Sequence, residues 1–303
     1  MIKRLKGSLM LLTAALIWGT AFAAQSKGMD YVEPFTYNSI RTLLGGFALL
    51  PVITAFRHTE QKAECSAKTT ISGGICCGSI LFAASSFQQL GISLTSAGKA
   101  GFITALYVII VPLISLFLGK KSDFKIWLCS FLAAAGFYML CVKDSFDISR
   151  GDLYVLISAV FYAFHIIVID FFNSKSARSI AMSCIQFFTA GTAMAVCMFI
   201  FEEPSLNSIF AAKYTILYTG IMSCAVAYTL QIIGQRYTPP TAATLIMSLE
   251  SVFAALSGWI LLNEKMSFKE VTGCILVFIA AVSAQLDLSF KKHRKTIKSR
   301  HSQ

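Results

Sequence analysis

Residues 88–107 read QQLGISLTSAGKAGFITALY, and residues 231–250 read QIIGQRYTPPTAATLIMSLE. The second stretch repeats the first at an offset of 143 residues, and an offset of 143 or 144 residues extends along most of the chain. This internal duplication predicts two halves, residues 1–145 and 146–290, that share one structural plan. The matched pairs include Gln88 with Gln231, Gly91 with Gly234, Thr95 with Thr238, Tyr107 with Glu250, Gly7 with Gly151, and Trp18 with Tyr162.

The composition excludes a soluble enzyme and a disordered chain. Hydrophobic residues make up 56% of the 303 residues and charged residues only 14%, whereas about 25% charged residues are typical of soluble domains. The formal charge of +11 suggests nucleic-acid binding, but a basic groove needs a polar surface to carry it. We therefore predict no nucleic-acid partner and look to membrane topology for the origin of the charge.

Apolar runs long enough to cross a bilayer occur ten times. A hydrocarbon core about 30 Å thick needs about 20 apolar residues per helix, and the connections between the runs are short. We predict an all-α integral membrane protein with ten transmembrane helices, five in each half. The predicted spans are Ser8–Gln25, Phe35–Phe56, Thr69–Leu90, Ala97–Leu118, Lys125–Val142, Gly151–Phe171, Ser179–Phe201, Lys213–Gln235, Thr241–Leu262 and Ser267–Leu288.

The first span has two interpretations. Lys3, Arg4 and Lys6 precede an apolar run that ends in the A-x-A pattern of residues 21–23, as in a cleaved secretory signal. Cleavage would leave nine spans and would remove one member of the repeat. We therefore favour a retained first helix.

The basic residues predict the orientation. With the amino terminus inside, 18 of the 26 Lys and Arg residues lie on the inner side, seven lie outside, and Arg41 lies within a span. This excess is typical of cytoplasmic loops, so we predict a multi-pass protein of the cytoplasmic membrane with both termini in the cytoplasm. Residues 291–303 form a basic cytoplasmic tail that we expect to lie beside anionic lipid.

An odd number of spans in each half inverts the second half relative to the first. Inverted repeats can form two equivalent packings, one open to each side of the membrane, so the pattern predicts a carrier that works by alternating access. A duplicated membrane scaffold, or a membrane-embedded enzyme acting on a lipid or peptide, remains the alternative.

The repeated segments resemble the EamA branch of the drug/metabolite transporter superfamily. The resemblance implies ten helices in two EamA repeats and transport of small metabolites, often amino acids or toxic compounds, usually outward across a bacterial inner membrane. Two features depart from the family: Ser251 replaces a proline common after the glutamate, so a milder bend is expected there, and the first repeat lacks an acidic residue matching Glu264. Segments carrying the resemblance are Thr95–Tyr107, Val111–Leu113, Thr238–Ala243, Leu249–Ala255 and Trp259–Glu264, with Trp18, Gly19, Phe22, Pro34 and Arg41.

Two charged residues are candidates for the transport site. A charge deep in a bilayer costs at least about 2.5–3.5 kcal/mol, so each needs a partner or a function. Glu250 lies near the middle of the ninth span, and it is predicted to contact a cationic solute or couple transport to protons, or else to be a permanently paired structural residue. Arg41 is predicted to hold a helix end or backbone carbonyls, or to bind a solute carboxylate. Tyr107 aligns with Glu250, so a two-fold axis would bring both to the central cavity.

Polar and aromatic side chains complete the candidate site. Gln88 lies at the outer end of the third span and Gln231 at the inner end of the eighth, and both are predicted either to guide a polar solute or to join helices. Trp18, Tyr162 and Tyr228 lie near mid-depth, where interfacial anchoring does not explain an aromatic residue. They are predicted to line the cavity or to pack between helices.

The sequence thus predicts a secondary transporter, with the proton as a candidate coupling ion. No G-x-x-x-x-G-K, H-E-x-x-H or G-x-S-x-G motif is present, so ATP use by this chain and common hydrolytic mechanisms are not indicated. The nine cysteines show no repeated metal-ligand spacing, and we predict no metal and no cofactor. The partners expected are a small-molecule solute and the lipid bilayer, with the chain as a monomer or homodimer.

Pro112 and the pair Pro239–Pro240 are candidate bend or helix-start points.

Overall fold

The computed structural model describes residues 2–60, 66–95, 97–119, 123–141, 149–175, 177–261 and 267–300. Within these ranges the protein is helical, and no strand occurs. The α-helices are α1 (Ile2–Gly28), α2 (Pro34–Glu60), α3 (Ala67–Ile92), α4 (Ala97–Ala105), α5 (Tyr107–Phe117), α6 (Phe124–Cys141), α7 (Arg150–Ser174), α8 (Ser179–Phe201), α9 (Leu206–Ala211), α10 (Lys213–Tyr218), α11 (Thr229–Gln235), α12 (Pro240–Met247), α13 (Glu250–Leu261) and α14 (Phe268–Arg300), and a π-helix covers Thr219–Tyr228.

The helices include eight that are long and apolar enough to cross a membrane, among the residues that the structure describes. They match predicted spans one to four and six to nine, and α6 contributes a shorter apolar helix, Phe124–Met139. The predicted tenth span lies in α14, whose side chains are described only as far as Ala284. Ten spans therefore remain a prediction, whereas the all-helical membrane fold is confirmed.

The fourth and ninth predicted spans are each broken in the middle, at equivalent places. Leu106 separates α4 from α5, and Ser248 with Leu249 separates α12 from α13. At both breaks the backbone turns more tightly: the amide of Leu106 donates to the carbonyl of Ile103, and that of Leu249 donates to the carbonyl of Ile246, each at 3.2 Å. These three-residue bonds are typical of 3₁₀ turns, so Tyr107 and Glu250 each begin a new helix.

Proline does not cause these breaks. Pro112 lies inside α5, six residues beyond the break at Leu106, so it is not the bend point of this span. Pro240 does begin a helix, since α12 starts there. The family resemblance suggested a milder bend because Ser251 replaces proline, yet the helix is interrupted at Ser248 and Leu249.

The two halves pack through glycines at equivalent positions. A Cβ at Gly91 of α3 would lie 2.8 Å from the carbonyl oxygen of Gly151 in α7, and a Cβ at Gly234 of α11 would lie 3.0 Å from that of Gly7 in α1. Gly91 matches Gly234 and Gly151 matches Gly7 at the sequence offset. The close approach of α3 to α7 is therefore repeated by α11 and α1.

The contact between α4 and α7 carries a charge pair that its counterpart lacks. Lys99 Nζ lies 2.6 Å from Asp152 Oδ2, and Thr95 Oγ1 donates to Asp152 Oδ1 at 2.8 Å. At the offset, the residues equivalent to Lys99 and Asp152 are Ala242 and Ser8. The close approach of helices is thus repeated at the equivalent positions, but the Lys99–Asp152 ion pair is not, because Ala242 and Ser8 carry no charge.

We expect Lys99→Ala to lower the free energy of unfolding by about 1 kcal/mol, because the Asp152 side chain is only 5% exposed and a partly buried pair is screened less than a surface pair. A change of this size lowers the unfolding temperature by about 2 °C in a chain of this length. Lys27→Ala is the matched control, since its pair with Asp30 is exposed at 65% and 55% and is expected to contribute little. Thermal unfolding of the detergent-solubilised variants measures both, and equal shifts would contradict the prediction.

Candidate functional site: a polar cavity between the halves

All eight candidate site residues line one cavity. It contains about 490 Å³ of space unoccupied by protein atoms, a volume that includes space open to solvent. Its wall includes residues from α1, α2, α3, α4, α5, α7, the π-helix, α11, α12 and α13. The lining residues are Trp18, Phe22, Gln25, Arg41, Gln88, Thr104, Tyr107, Tyr162, Ile166, Ser223, Tyr228, Gln231, Met247 and Glu250.

Glu250 and Tyr107 meet directly in this wall. Tyr107 Oη donates to Glu250 Oε1 at 3.0 Å, and both side chains are about 4% exposed. The two residues occupy equivalent positions in the repeats, so an axis relating the halves passes near their contact. No basic side chain lies within salt-bridge distance of Glu250 among the described residues. The carboxylate therefore has one tyrosine donor and retains acceptor capacity toward the cavity.

Arg41 is the basic residue of the wall, and it is also 4% exposed. Its Nε donates to Asn38 Oδ1 at 2.8 Å, and its guanidinium carbon lies 5.7 Å from the centre of the Tyr37 ring. In the part of the chain that the structure describes, Arg41 makes no salt bridge. A buried cation and a buried carboxylate thus face one cavity without pairing with each other.

Hydroxyl groups form a network along another part of the wall. Tyr162 Oη donates to Gln88 Oε1 at 3.0 Å and accepts from Tyr228 Oη at 3.3 Å. Gln88 Nε2 in turn donates to Thr104 Oγ1 at 3.2 Å. Trp18 packs edge-on against Tyr228, with ring centres 4.9 Å apart. The network fixes these rings by hydrogen bonds as well as by packing.

Three polar atoms of lining residues have no hydrogen-bond partner within the described segments of the chain. They are Trp18 Nε1, Gln25 Oε1 and Gln231 Oε1, each inaccessible to solvent in this structure. Buried polar groups are nearly always hydrogen-bonded in native proteins. In this structure these three atoms, one donor and two acceptors, lack the hydrogen bonds that buried polar groups normally make.

Six lining residues were not among the sequence candidates. Gln25 follows Trp18 by seven residues, a spacing that places both on one face of a helix, so the pattern could have indicated it. Ser223 precedes Tyr228 by five residues, which an α-helix places on different faces. The π-helix, with its wider turn, accounts for their shared wall and has no signal in the sequence. The remaining four are Phe22, Thr104, Ile166 and Met247.

A bundle of apolar helices around a cavity lined by polar and aromatic side chains is typical of multi-pass membrane transporters. The family model described as the EamA-like transporter family matches residues 5–142 and again residues 149–284. The chain belongs to this family.

Two relatives that match most of the chain are uncharacterized transporters. An uncharacterized transporter of Archaeoglobus fulgidus is 28% identical over 289 residues, covering 94% of this chain and 87% of that relative. The uncharacterized transporter YoaV of Bacillus subtilis is 21% identical over 281 residues, covering 90% and 94%. A solved crystal structure resembles the fold with a TM-score of 0.77 at 19% identity, covering 92% of this chain and 96% of that one.

Proposed function

We propose that this protein is a secondary transporter, acting as an exporter of small metabolites such as amino acids, related molecules or toxic compounds. Ten transmembrane helices form two inverted five-helix repeats, residues 1–145 and 146–290, with both termini in the cytoplasm. The solute binds between the repeats and is exposed alternately to each side of the membrane.

The cavity carries the proposal. Residues at equivalent positions of the two halves line it in pairs: Tyr107 with Glu250, and Gln88 with Gln231. A third pair consists of Trp18 and Tyr162, at the 144-residue offset. A cavity built symmetrically from two inverted units supports a site that can be reached from either side.

The chemistry of the wall supports a polar solute with an apolar part. Glu250 suits a cationic group and Arg41 an anionic group, while Phe22, Ile166 and Met247 supply apolar surface. Glu250 is also the carboxylate among the described lining residues, which supports a proton as the coupling ion.

Counterflow in proteoliposomes tests this function. Vesicles holding the purified protein are loaded with one unlabelled metabolite from a panel of amino acids and cationic drugs, and uptake of the labelled compound is followed. We expect accumulation that depends on the internal solute for at least one panel member. Empty vesicles are the control, and turnover of a bilayer lipid without solute movement would favour a membrane-embedded enzyme instead.

A further inference from the structure

The cavity-facing Arg41 is held by an asparagine that does not line the cavity. Asn38 lies one helical turn before Arg41 in α2 and is fully buried. Its Oδ1 accepts from Arg41 Nε at 2.8 Å, and its Nδ2 donates to the carbonyl oxygen of Ser85 in α3 at 2.8 Å. Both the oxygen and the nitrogen of the Asn38 amide are therefore held by hydrogen bonds, and the amide in turn fixes the direction of the Nε–H bond of Arg41.

Fixing Nε also fixes the rest of the guanidinium, because the group is planar. The Tyr37 ring, 5.7 Å from the guanidinium carbon, further restricts the plane. Among the described residues, neither terminal nitrogen of Arg41 forms a salt bridge, and its one described hydrogen bond to protein uses Nε. The two terminal nitrogens are then a preformed fork of donors in the cavity wall.

A buried arginine that only secured a helix end would bond backbone carbonyls or a carboxylate. Arg236, which is exposed, makes contacts of this kind: its terminal nitrogen donates to the carbonyl oxygen of Ala177 and its Nε to Asn173 Oδ1. Arg41 shares the Nε–asparagine contact and lacks the second contact in the described part of the chain. Within one molecule, Arg236 uses a terminal nitrogen to bind protein, whereas the described hydrogen bond of Arg41 uses Nε alone. The terminal nitrogens of Arg41 can therefore bind a ligand.

We propose that Asn38 is a positioning residue that aims the Arg41 fork at a planar oxyanion of the solute, a carboxylate, and so sets the preference for acids. Because this cavity is the proposed transport path, the inference rests on the proposed function. An ionised carboxylate accepts two parallel hydrogen bonds from a guanidinium, whereas the matching primary amide offers one acceptor oxygen and no charge. The site therefore distinguishes an acid from its amide.

Paired probes test the preference in the full-length protein in detergent. The probes are benzoate with benzamide and phenylalanine with phenylalaninamide, and binding is followed by tryptophan fluorescence, since Trp18 lies in the wall. We expect the wild type to bind the acid of at least one pair about tenfold more tightly than its amide, the ratio that roughly 1.4 kcal/mol produces. The absence of a preference in both pairs would overturn the carboxylate subsite.

Four variants separate positioning from folding. Asn38→Ala should reduce the ratio of acid affinity to amide affinity below about threefold and leave the amide affinity unchanged. The variant lets the Arg41 guanidinium move but keeps its charge. Asn38→Asp should abolish the preference for the acid over its amide, because the new carboxylate pairs with Arg41. Arg41→Lys should keep only part of it, since an ammonium is a point charge. Ser39→Ala is the matched control, a buried neighbour in α2 whose hydroxyl faces Gly191.

The same variants distinguish this inference from the proposed function. In counterflow of a carboxylate, Asn38→Ala should raise the half-saturating concentration and leave the maximal rate unchanged, whereas a general folding defect would lower the rate and the unfolding temperature. An Asn38→Ala protein that retains the wild-type acid preference would overturn the positioning role. If no solute shows counterflow while the wild type prefers acids, the transport proposal fails and the subsite stands.

Discussion

Replacing Glu250 with glutamine is expected to lower solute counterflow by about 10- to 100-fold. Glutamine keeps the size of the side chain and an acceptor for the Tyr107 hydroxyl, which lies 3.0 Å from Glu250 Oε1. It removes the charge, and a hydrogen bond to a charged group contributes about 1.5–3 kcal/mol, or roughly one to two powers of ten. Initial rates of counterflow in proteoliposomes measure the effect.

The pH dependence of transport separates coupling from binding. The ionisable groups that share the described cavity wall with Glu250 are Arg41 and the tyrosines Tyr107, Tyr162 and Tyr228. Arginine stays charged at all accessible pH values, so we expect the pH profile of the wild type between about pH 5 and 8 to flatten in Glu250→Gln.

Two controls accompany this variant. Tyr107→Phe removes the donor and keeps the carboxylate, and it should reduce counterflow by less than Glu250→Gln does. The unfolding temperature of Glu250→Gln should not fall, because the substitution removes a buried charge that has no basic partner among the described residues. Full counterflow with an unchanged pH profile in Glu250→Gln would instead assign Glu250 a structural role.

The second large effect is expected from the glycine contacts of α3 with α7 and of α11 with α1, each of which lies one helical turn from a cavity-lining glutamine, Gln88 or Gln231. A Cβ at Gly91 would lie 2.3 Å from Val155 Cγ2 as well as 2.8 Å from the Gly151 carbonyl, so the helices must separate to accept it. A Cβ at Gly234 would lie 2.9 Å from Leu11. We expect Gly91→Ala and Gly234→Ala each to lower counterflow about tenfold, by preventing closure at one end.

The matched control for these variants is Gly101→Ala. A Cβ at Gly101 would meet its nearest atoms, in the Phe22 ring, at 3.9 Å, which is ordinary contact distance. The same alanine substitution should therefore leave counterflow within about twofold of the wild type. A similar loss in all three variants would show that glycine itself, rather than close approach, is what transport requires.

Accessibility from each side identifies which end has opened. Ser223 lines the cavity, so Ser223→Cys can report entry of a membrane-impermeant maleimide, after subtraction of the labelling of the nine native cysteines. Gly91→Ala should increase labelling from one side of oriented vesicles and Gly234→Ala from the other. Equal changes on both sides would contradict gating by these contacts. The side that responds to each variant also tests the orientation expected from the basic residues.

The sequence predicted the general plan of this protein well. Apolar runs of about 20 residues and their short connections indicate helices in a bilayer without reference to tertiary contacts. The common offset located the duplication and paired Tyr107 with Glu250, which meet in the structure. All eight candidate residues line one cavity, because charges, amides and aromatic rings at mid-depth are disfavoured unless they face the interior of the bundle.

The sequence by itself determined the helical membrane fold and the residues that would seek the interior, because partition into a bilayer depends on local composition. Only the tertiary structure decided how those residues meet. Only the folded chain shows the breaks before Tyr107 and Glu250, the π-helix that places Ser223 and Tyr228 in one wall, and the bonds of Asn38 to Arg41 in its own helix and to Ser85 in α3. They arise from packing and from the satisfaction of buried polar groups, which no local pattern records.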